Sequence, residues 1–183
     1  AQLLARPGWL IRVLGQHYLK RGAPTMVNYP EELISRITDP MLKHMHTKTD
    51  NLTWDHVMRI RDNWPGNLLV KGLHSAEDSL IAKEKGLDGV ILSNHGGRYV
   101  DCAPAPLQLL PETRTAVGND FTVIIDSGAR RGSDLVKAMA LGADLVMSGR
   151  PTLWGAAVAG ADGSFRALEI FYEEMDRVMA QLG

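Results

Sequence analysis

The chain has 183 residues, 45% of them hydrophobic, with 20 basic and 21 acidic side chains. That length and composition fit one ordinary globular domain and exclude disorder throughout, and a net charge near zero leaves no field to draw in nucleic acid, which is not expected as a partner. A single cysteine, Cys102, excludes an internal disulfide and a multi-cysteine zinc site, fits a reducing cytoplasmic compartment, and reads as a partly buried small hydrophobe.

Taken in order, the first residues are the least regular, with Pro7, Gly8, Gly22, Pro24, Pro30 and Pro40 breaking any long pattern. Residues 1–53 read as helical pieces in a long excursion between strands. The opening "ARPGWLIRVLGQHYLKRG" mixes apolar and basic residues, the pattern of an amphipathic helix packed on its own protein or laid on a membrane surface, so peripheral contact with the inner face of a membrane is retained as an expectation. No apolar run approaches the roughly 18 residues that span a bilayer. The chain starts at Ala1 without the small-residue cleavage site of a signal peptide, and residues upstream are expected to have been removed.

"TWDHVMRIRDNW" predicts a helix, and after it strand and helix alternate. Strands are predicted at "NLLVKG" from Asn67, "GVILSN" from Gly89, "FTVIID" from Phe121 and "DLVMSG" from Asp144, because apolar residues occupy consecutive positions, as in strands buried on both faces. Helices fill the gaps: "SAEDSLIAKEKG", with Ser75 as N-cap, Asp78 three residues on and a stop at Gly86, then "PLQLLPETRTAVG" and "SDLVKAMALG". The closing "SFRALEIFYEEMDRVMAQLG" places Phe165, Leu168, Phe171, Met175, Val178, Met179 and Leu182 on one face, read as core packing. This alternation implies an α/β fold with parallel strands and right-handed crossovers. "GLDGVILSN" and "GADLVMSGR" echo each other, each running from a helix-ending glycine through Asp into a strand.

The polar clusters fall where strands end, the edge at which α/β folds bind ligands. "DSGARRGSD" and "SGRP" place Gly128 with Arg130 and Gly149 with Arg150 between a strand and a helix. Glycine lets backbone approach an anion, and the helix is expected to offer free N–H groups, so the pair reads as a phosphate site, against the plainer reading of two surface arginines paired with carboxylates. "SNHGGR" combines His95, a side-chain type that exchanges protons near neutral pH, with Arg98, whose planar fork suits a carboxylate. Lys71 ends an apolar strand and would point into the mouth of a barrel, whereas His17, His44, His46, His56 and His74 read as structural.

"LLVKG", "GVILSNHGGRYVDCAPAP", "IIDSGARRGSDLVKAMALGADLVMSGRP" and "WGAAVAGADG" together resemble the C-terminal half of the FMN-dependent L-2-hydroxy acid dehydrogenases and oxidases, the family of glycolate oxidase, lactate oxidase, L-lactate dehydrogenase and (S)-mandelate dehydrogenase. The resemblance implies a (β/α)8 TIM-barrel type, with residues 54–183 supplying about the last four βα units and residues 1–53 the family's variable excursion. It implies FMN as cofactor and oxidation of a mandelate- or lactate-like substrate to the 2-oxo acid. His95 falls on the base, Arg98 on the group holding the substrate carboxylate, and Lys71 on the lysine beside flavin N1 and O2. Ser93 falls on a flavin contact, and Asp126, Gly128, Arg130, Gly149 and Arg150 on positions holding the ribityl chain and phosphate. The family commonly has "RQLDG" where this chain has "RYVDC", and "DGG" where it has Asp126, Ser127 and Gly128; neither difference is expected to touch an assigned role. The family's other four strands would supply the carboxylate that orients the histidine, so the N-terminal half of the barrel is an expected partner, the chain alone is expected to be inactive, and the complete protein is expected to form a homo-oligomer. The alternatives are a non-catalytic half-barrel binding phosphate or flavin, and a flavin-dependent isomerase.

Overall fold

The four apolar runs form four parallel strands, β1 Leu69–Leu73, β2 Gly89–Leu92, β3 Thr122–Ile125 and β4 Leu145–Val146, paired in chain order. The structure, a computed structural model, describes residues 5–25 and 52–183. The chain divides into two units, Ala1–Leu52 and Thr53–Gly183. In the first, α1 (Pro7–Trp9) runs through a π-helical stretch, Leu10–Gly15, into α2 (Gln16–Arg21), and Gly22 at φ 75° ends it. The expectations resting on Pro30, Pro40, His44 and His46 lie outside the described residues.

In the second unit α3 (Trp54–Asn63) precedes β1, α4 (Ala76–Glu84) and α5 (Pro106–Val117) connect the first three strands, and α6 (Gly132–Ala140) leads to β4. Capping explains the boundaries of α4: the Ser75 hydroxyl accepts the Asp78 N–H at 3.0 Å, and Gly86 takes φ 74° just past the end. Side chains alternate across the sheet. Val90, Leu92, Val123 and Ile125 are buried against Ala82, Leu110, Val117 and Ala138 of the helices. The opposite residues, Leu69, Ile91, Ile124 and Leu145, are half-buried or exposed, Leu145 at 58%. Among the described residues, burial on both faces therefore holds for one face only; in a barrel the second face is filled by side chains from the other strands.

The internal echo in the sequence has a structural counterpart. Asp88, just before β2, accepts the Leu68 N–H at 2.7 Å and Arg61 Nη1 of α3 at 2.8 Å. Asp144, just before β4, does the same with the Val123 N–H at 2.7 Å and Arg114 Nη2 of α5 at 2.7 Å. Each carboxylate ties the start of one strand to its neighbour and to a helix, one clamp per pair of βα units.

Three expectations are corrected. Helix α7 begins at Arg150 and reaches Leu182, broken at Ala159 and Gly160, where Gly160 takes φ 61° and ψ −137°. The predicted helix starts at "SFRALEIF"; instead "WGAAVAGADG" before it is part of a helical hairpin, in which Gly155 and Gly163 approach each other across the break and Ser164 Oγ donates to the Thr152 carbonyl at 2.9 Å. Of the apolar face in the second arm only Phe171 is buried; Met175 and Val178 are half-buried, and Phe165, Leu168, Met179 and Leu182 are exposed. The reason is local: α7 packs on α6 where Gly132, lacking a side chain, lies against the backbone of Phe171 and Met175. Cys102 is exposed, on a turn between elements, instead of filling a partly buried position.

The backbone bond from Leu68 and then the Arg61 side chain hold the Asp88 carboxyl below the usual carboxylate range. A carboxylate whose pKa is lowered by folding adds stability above its unfolded value, about 3.9, and loses it as pH falls through the folded value. Asp88→Asn is accordingly expected to lower the thermal midpoint at pH 7, with the gap from wild type closing below about pH 4; thermal unfolding across that pH range measures it, and a gap independent of pH would contradict the clamp.

Candidate functional site

The site is built at the carboxyl ends of β1, β2 and β3. Lys71 is the last residue of β1 paired regularly with β2, facing Ile91 across the strands; a bulge follows at Gly72, whose φ of 97° suits a residue without a side chain. Ser93 follows β2 and is fully buried, and Asp126 follows β3. Because the three positions share the inner parity of the sheet, their side chains converge. Lys71 Nζ donates to Ser93 Oγ at 2.9 Å and pairs with Asp126 Oδ2 at 2.8 Å, while Ser93 Oγ donates to the same carboxylate oxygen at 2.6 Å. Burial, the largest single influence, pushes the Asp126 carboxyl up, but hydrogen bonds from Lys71 and Ser93, the Lys71 charge and the Ser127 N–H together hold it below its ordinary value. His74 contacts the Ser93 carbonyl through Nε2 at 2.7 Å, a structural role like that of His56, which completes the cap of α3 with Thr53.

"NHGG" forms a tight turn in which three successive residues, His95, Gly96 and Gly97, take φ 53°, 67° and 73°. Glycine fits that backbone at little cost, whereas His95 carries a side chain there against its preference. The turn is fastened on several sides. Asn94 Oδ1 accepts the Gly97 N–H at 3.2 Å, Ser93 Oγ accepts the His95 N–H at 3.1 Å, Ser127 Oγ accepts the Gly96 N–H at 2.9 Å, and Arg150 Nη2 donates to the Gly96 carbonyl at 2.9 Å. A side chain on Gly96 would collide with the Arg150 guanidinium, so close approach as well as backbone angle requires glycine. His95 and Arg98 are exposed, and the His95 ring meets the Tyr99 ring edge-on at 5.1 Å.

A pocket of about 260 Å³ lies between this turn and the loops after β3 and β4, lined among others by His95, Arg98, Asp126, Ser127, Gly128, Arg130, Gly149 and Arg150. Lys71 and Ser93 stand behind its wall and reach it through Asp126. Arg130 lies over the Trp154 ring at 5.6 Å. Among the described residues no carboxylate pairs with Arg130 or Arg150; in "RR" it is Arg131 that takes Glu174, at 2.7 Å.

One part of the anion-site reading is corrected. The amino end of α6 offers no free N–H to a ligand at these positions, since the Arg130 and Arg131 N–H groups both donate to Asp134 Oδ2 at 3.0 Å and the Gly132 N–H donates to Glu174 Oε2 at 2.7 Å. The chain caps this end with its own carboxylates. The amino end of α7, after Gly149, has no side-chain cap and opens on the pocket. Ser127, at the family's "DGG" position, also departs from expectation: its hydroxyl holds the turn that carries His95.

All 183 residues match the family model described as FMN-dependent dehydrogenase. The chain belongs to the FMN-dependent dehydrogenase family. It is 42% identical over 166 residues to (S)-mandelate dehydrogenase of Pseudomonas putida, covering 91% of this chain and 42% of that protein. It is 41% identical over 132 residues to L-lactate oxidase of Nostoc sp., covering 72% of this chain and 36% of that protein. A crystal structure of the monotopic membrane protein (S)-mandelate dehydrogenase superposes with a TM-score of 0.81 at 40% identity, covering 96% of this chain and 45% of that one. The fold is thus of the (β/α)8-barrel type, present here as four βα units, and the chain spans less than half the length of these relatives.

The residues present fit the family's flavin mononucleotide. Two guanidinium groups that have no carboxylate partner among the described residues, and a helix end without a side-chain cap, on one pocket suit a phosphate dianion, and the Lys71 ammonium nearby suits a ring that gains negative charge.

Ser93→Ala removes a buried hydroxyl that serves three groups, and is expected to cost about 1–3 kcal/mol of stability. Denaturant unfolding of wild type and variant measures this, and a loss below about 0.5 kcal/mol would show that the three groups re-pair without it.

Proposed function

We propose that this chain forms part of an FMN-dependent enzyme that oxidises an L-2-hydroxy acid of the mandelate or lactate kind to the 2-oxo acid. The observation that carries the reading is the placing of His95 and Arg98 on the rim of the pocket that Arg130, Gly149 and Arg150 also line. A proton-accepting group and a carboxylate-binding fork thereby stand beside an anion site. Arg98 binds and orients the substrate carboxylate, and its exposure leaves the guanidinium accessible to do so. His95 accepts a proton from the substrate on its imidazole, held at the pocket mouth by the bonded turn. FMN, when bound, would supply the acceptor for the electron pair and the substrate's second hydrogen. Arg130 and Arg150 hold its phosphate, with Gly128 and Gly149 allowing close approach; Lys71, Ser93 and Asp126 face its ring and ribityl chain.

The half-covered inner face of the sheet, with Leu145 of β4 at 58% exposure, supports an N-terminal half of the barrel as the partner that completes the site. In the first unit Trp9, Ile11, Val13, Tyr18 and Leu19 are exposed beside Arg12, Lys20 and Arg21, a composition that suits peripheral contact with an anionic membrane surface.

Two measurements test the reading. Replacing Arg130 or Arg150 with alanine is expected to weaken FMN binding by about 1.5–3 kcal/mol, read by flavin fluorescence titration, and unchanged binding in the double variant would overturn the phosphate site. With the complementary half supplied, the wild type is expected to reduce its flavin anaerobically with an L-2-hydroxy acid. His95→Gln should keep FMN and lose that reduction, and Arg98→Lys should raise KM and lower kcat. Near-normal reduction in the histidine variant would remove His95 from the mechanism. Substantial turnover by the 183-residue chain alone would show that the described strands suffice.

A further inference from the structure

Two residues other than glycine take positive φ among those described, His95 at 53° and Ser127 at 81°, and they lie on adjacent loops of one pocket. A side chain in that region opposes the local backbone preference, so the surrounding contacts must hold it. For Ser127 those contacts are specific. Its Oγ accepts the Gly96 N–H at 2.9 Å, immediately after His95 in the chain and across from β2 to the loop after β3.

The neighbouring hydroxyl does not compete for this oxygen. A serine hydroxyl has one proton to donate and two lone pairs to offer. Ser93 gives its proton to Asp126 Oδ2 at 2.6 Å and its lone pairs to Lys71 Nζ at 2.9 Å and the His95 N–H at 3.1 Å. Its 3.4 Å contact with Ser127 therefore finds neither a free proton nor a free lone pair on Ser93, which leaves the Ser127 lone pairs to the Gly96 N–H. The bond is matched on the other side of the same residue, where Arg150 Nη2 donates to the Gly96 carbonyl. Gly96 is thus gripped at both its N–H and its C=O by residues of two different loops.

We infer that Ser127 is a positioning residue: its hydroxyl, presented by an unfavourable backbone conformation, fixes the turn that aims the His95 ring into the pocket. The contact does not depend on any reaction; its consequence for turnover rests on the proposed role of His95.

The test uses amide hydrogen exchange on the 15N-labelled chain, comparing Gly96 with Val123, whose N–H is held independently by Asp144. Ser127→Ala and Ser127→Gly are both expected to speed exchange at Gly96 by about 3- to 10-fold, the range for loss of one hydrogen bond, with Val123 unchanged. Ser127→Gly also relieves the backbone conformation that Ser127→Ala keeps, so its thermal midpoint should lie above that of Ser127→Ala while exchange at Gly96 is equally fast, which separates loss of positioning from loss of fold. In the complete enzyme, kcat should fall by about the same factor with KM changed less than about twofold. Unchanged exchange at Gly96 in both variants overturns the inference. So does acceleration shared equally by Val123, or a rise in KM with kcat intact. Absence of any wild-type turnover with 2-hydroxy acids would instead overturn the functional proposal, leaving the exchange result to stand by itself.

Discussion

The buried hydroxyl of Ser93 ties the ends of three parallel strands together. It receives Lys71 from β1, gives its proton to Asp126 after β3, and accepts the first N–H of the turn that follows β2. A group with one proton and two lone pairs is saturated by these bonds. The arrangement is centred on a fully buried hydroxyl, so loss of any one partner leaves that oxygen or its neighbours with an unmet charge or donor. It also joins stability to chemistry. The network that keeps an ammonium and a carboxylate together at the strand ends is the same one that sets the first bond of the His95 turn.

Below that network the strands are held in register by a repeated device. Asp88 and Asp144 each bridge a helix arginine to the backbone at the start of the preceding strand, away from the pocket. The pocket-lining groups and the clamping groups therefore occupy opposite ends of the same strands. This separation lets loops on the carboxyl side carry unfavourable conformations, as at His95 and Ser127, while the register is fixed elsewhere.

Two helices follow the loops that line the pocket, and the chain treats their amino ends differently. At that of α6, Asp134 and Glu174 accept the Arg130, Arg131 and Gly132 N–H groups, and Gly132 serves the close packing of α7 on α6. That of α7 is left without a side-chain cap, with Arg150 at its first position. In the proposed phosphate site the loop after β4 and the two arginines would therefore carry more of the anion binding than the end of α6.

The sequence by itself determined the four strands, their parallel order and most of the helices between them, because each signal is local: consecutive apolar residues for strands, and Ser75 and Gly86 for the ends of α4. It also singled out the residues gathered at the strand ends, since the family motifs are contiguous there. What it did not determine depends on neighbours distant in the chain. The capping of α6 by Glu174 spans 42 residues, and the grip of Arg150 on Gly96 spans 54, so "DSGARRGSD" alone shows a helix end that looks open. The apolar stripe of the last helix has the period of a core face, yet periodicity states only which side chains share a face, and the close contact at Gly132 decides that Phe171 is the part of it that is buried. Ser127 was legible only as a departure from a pattern. The tertiary structure alone brings its hydroxyl to an N–H 31 positions away, because a hydrogen bond is set by distance in space and the fold, not the spacing in sequence, supplies that distance.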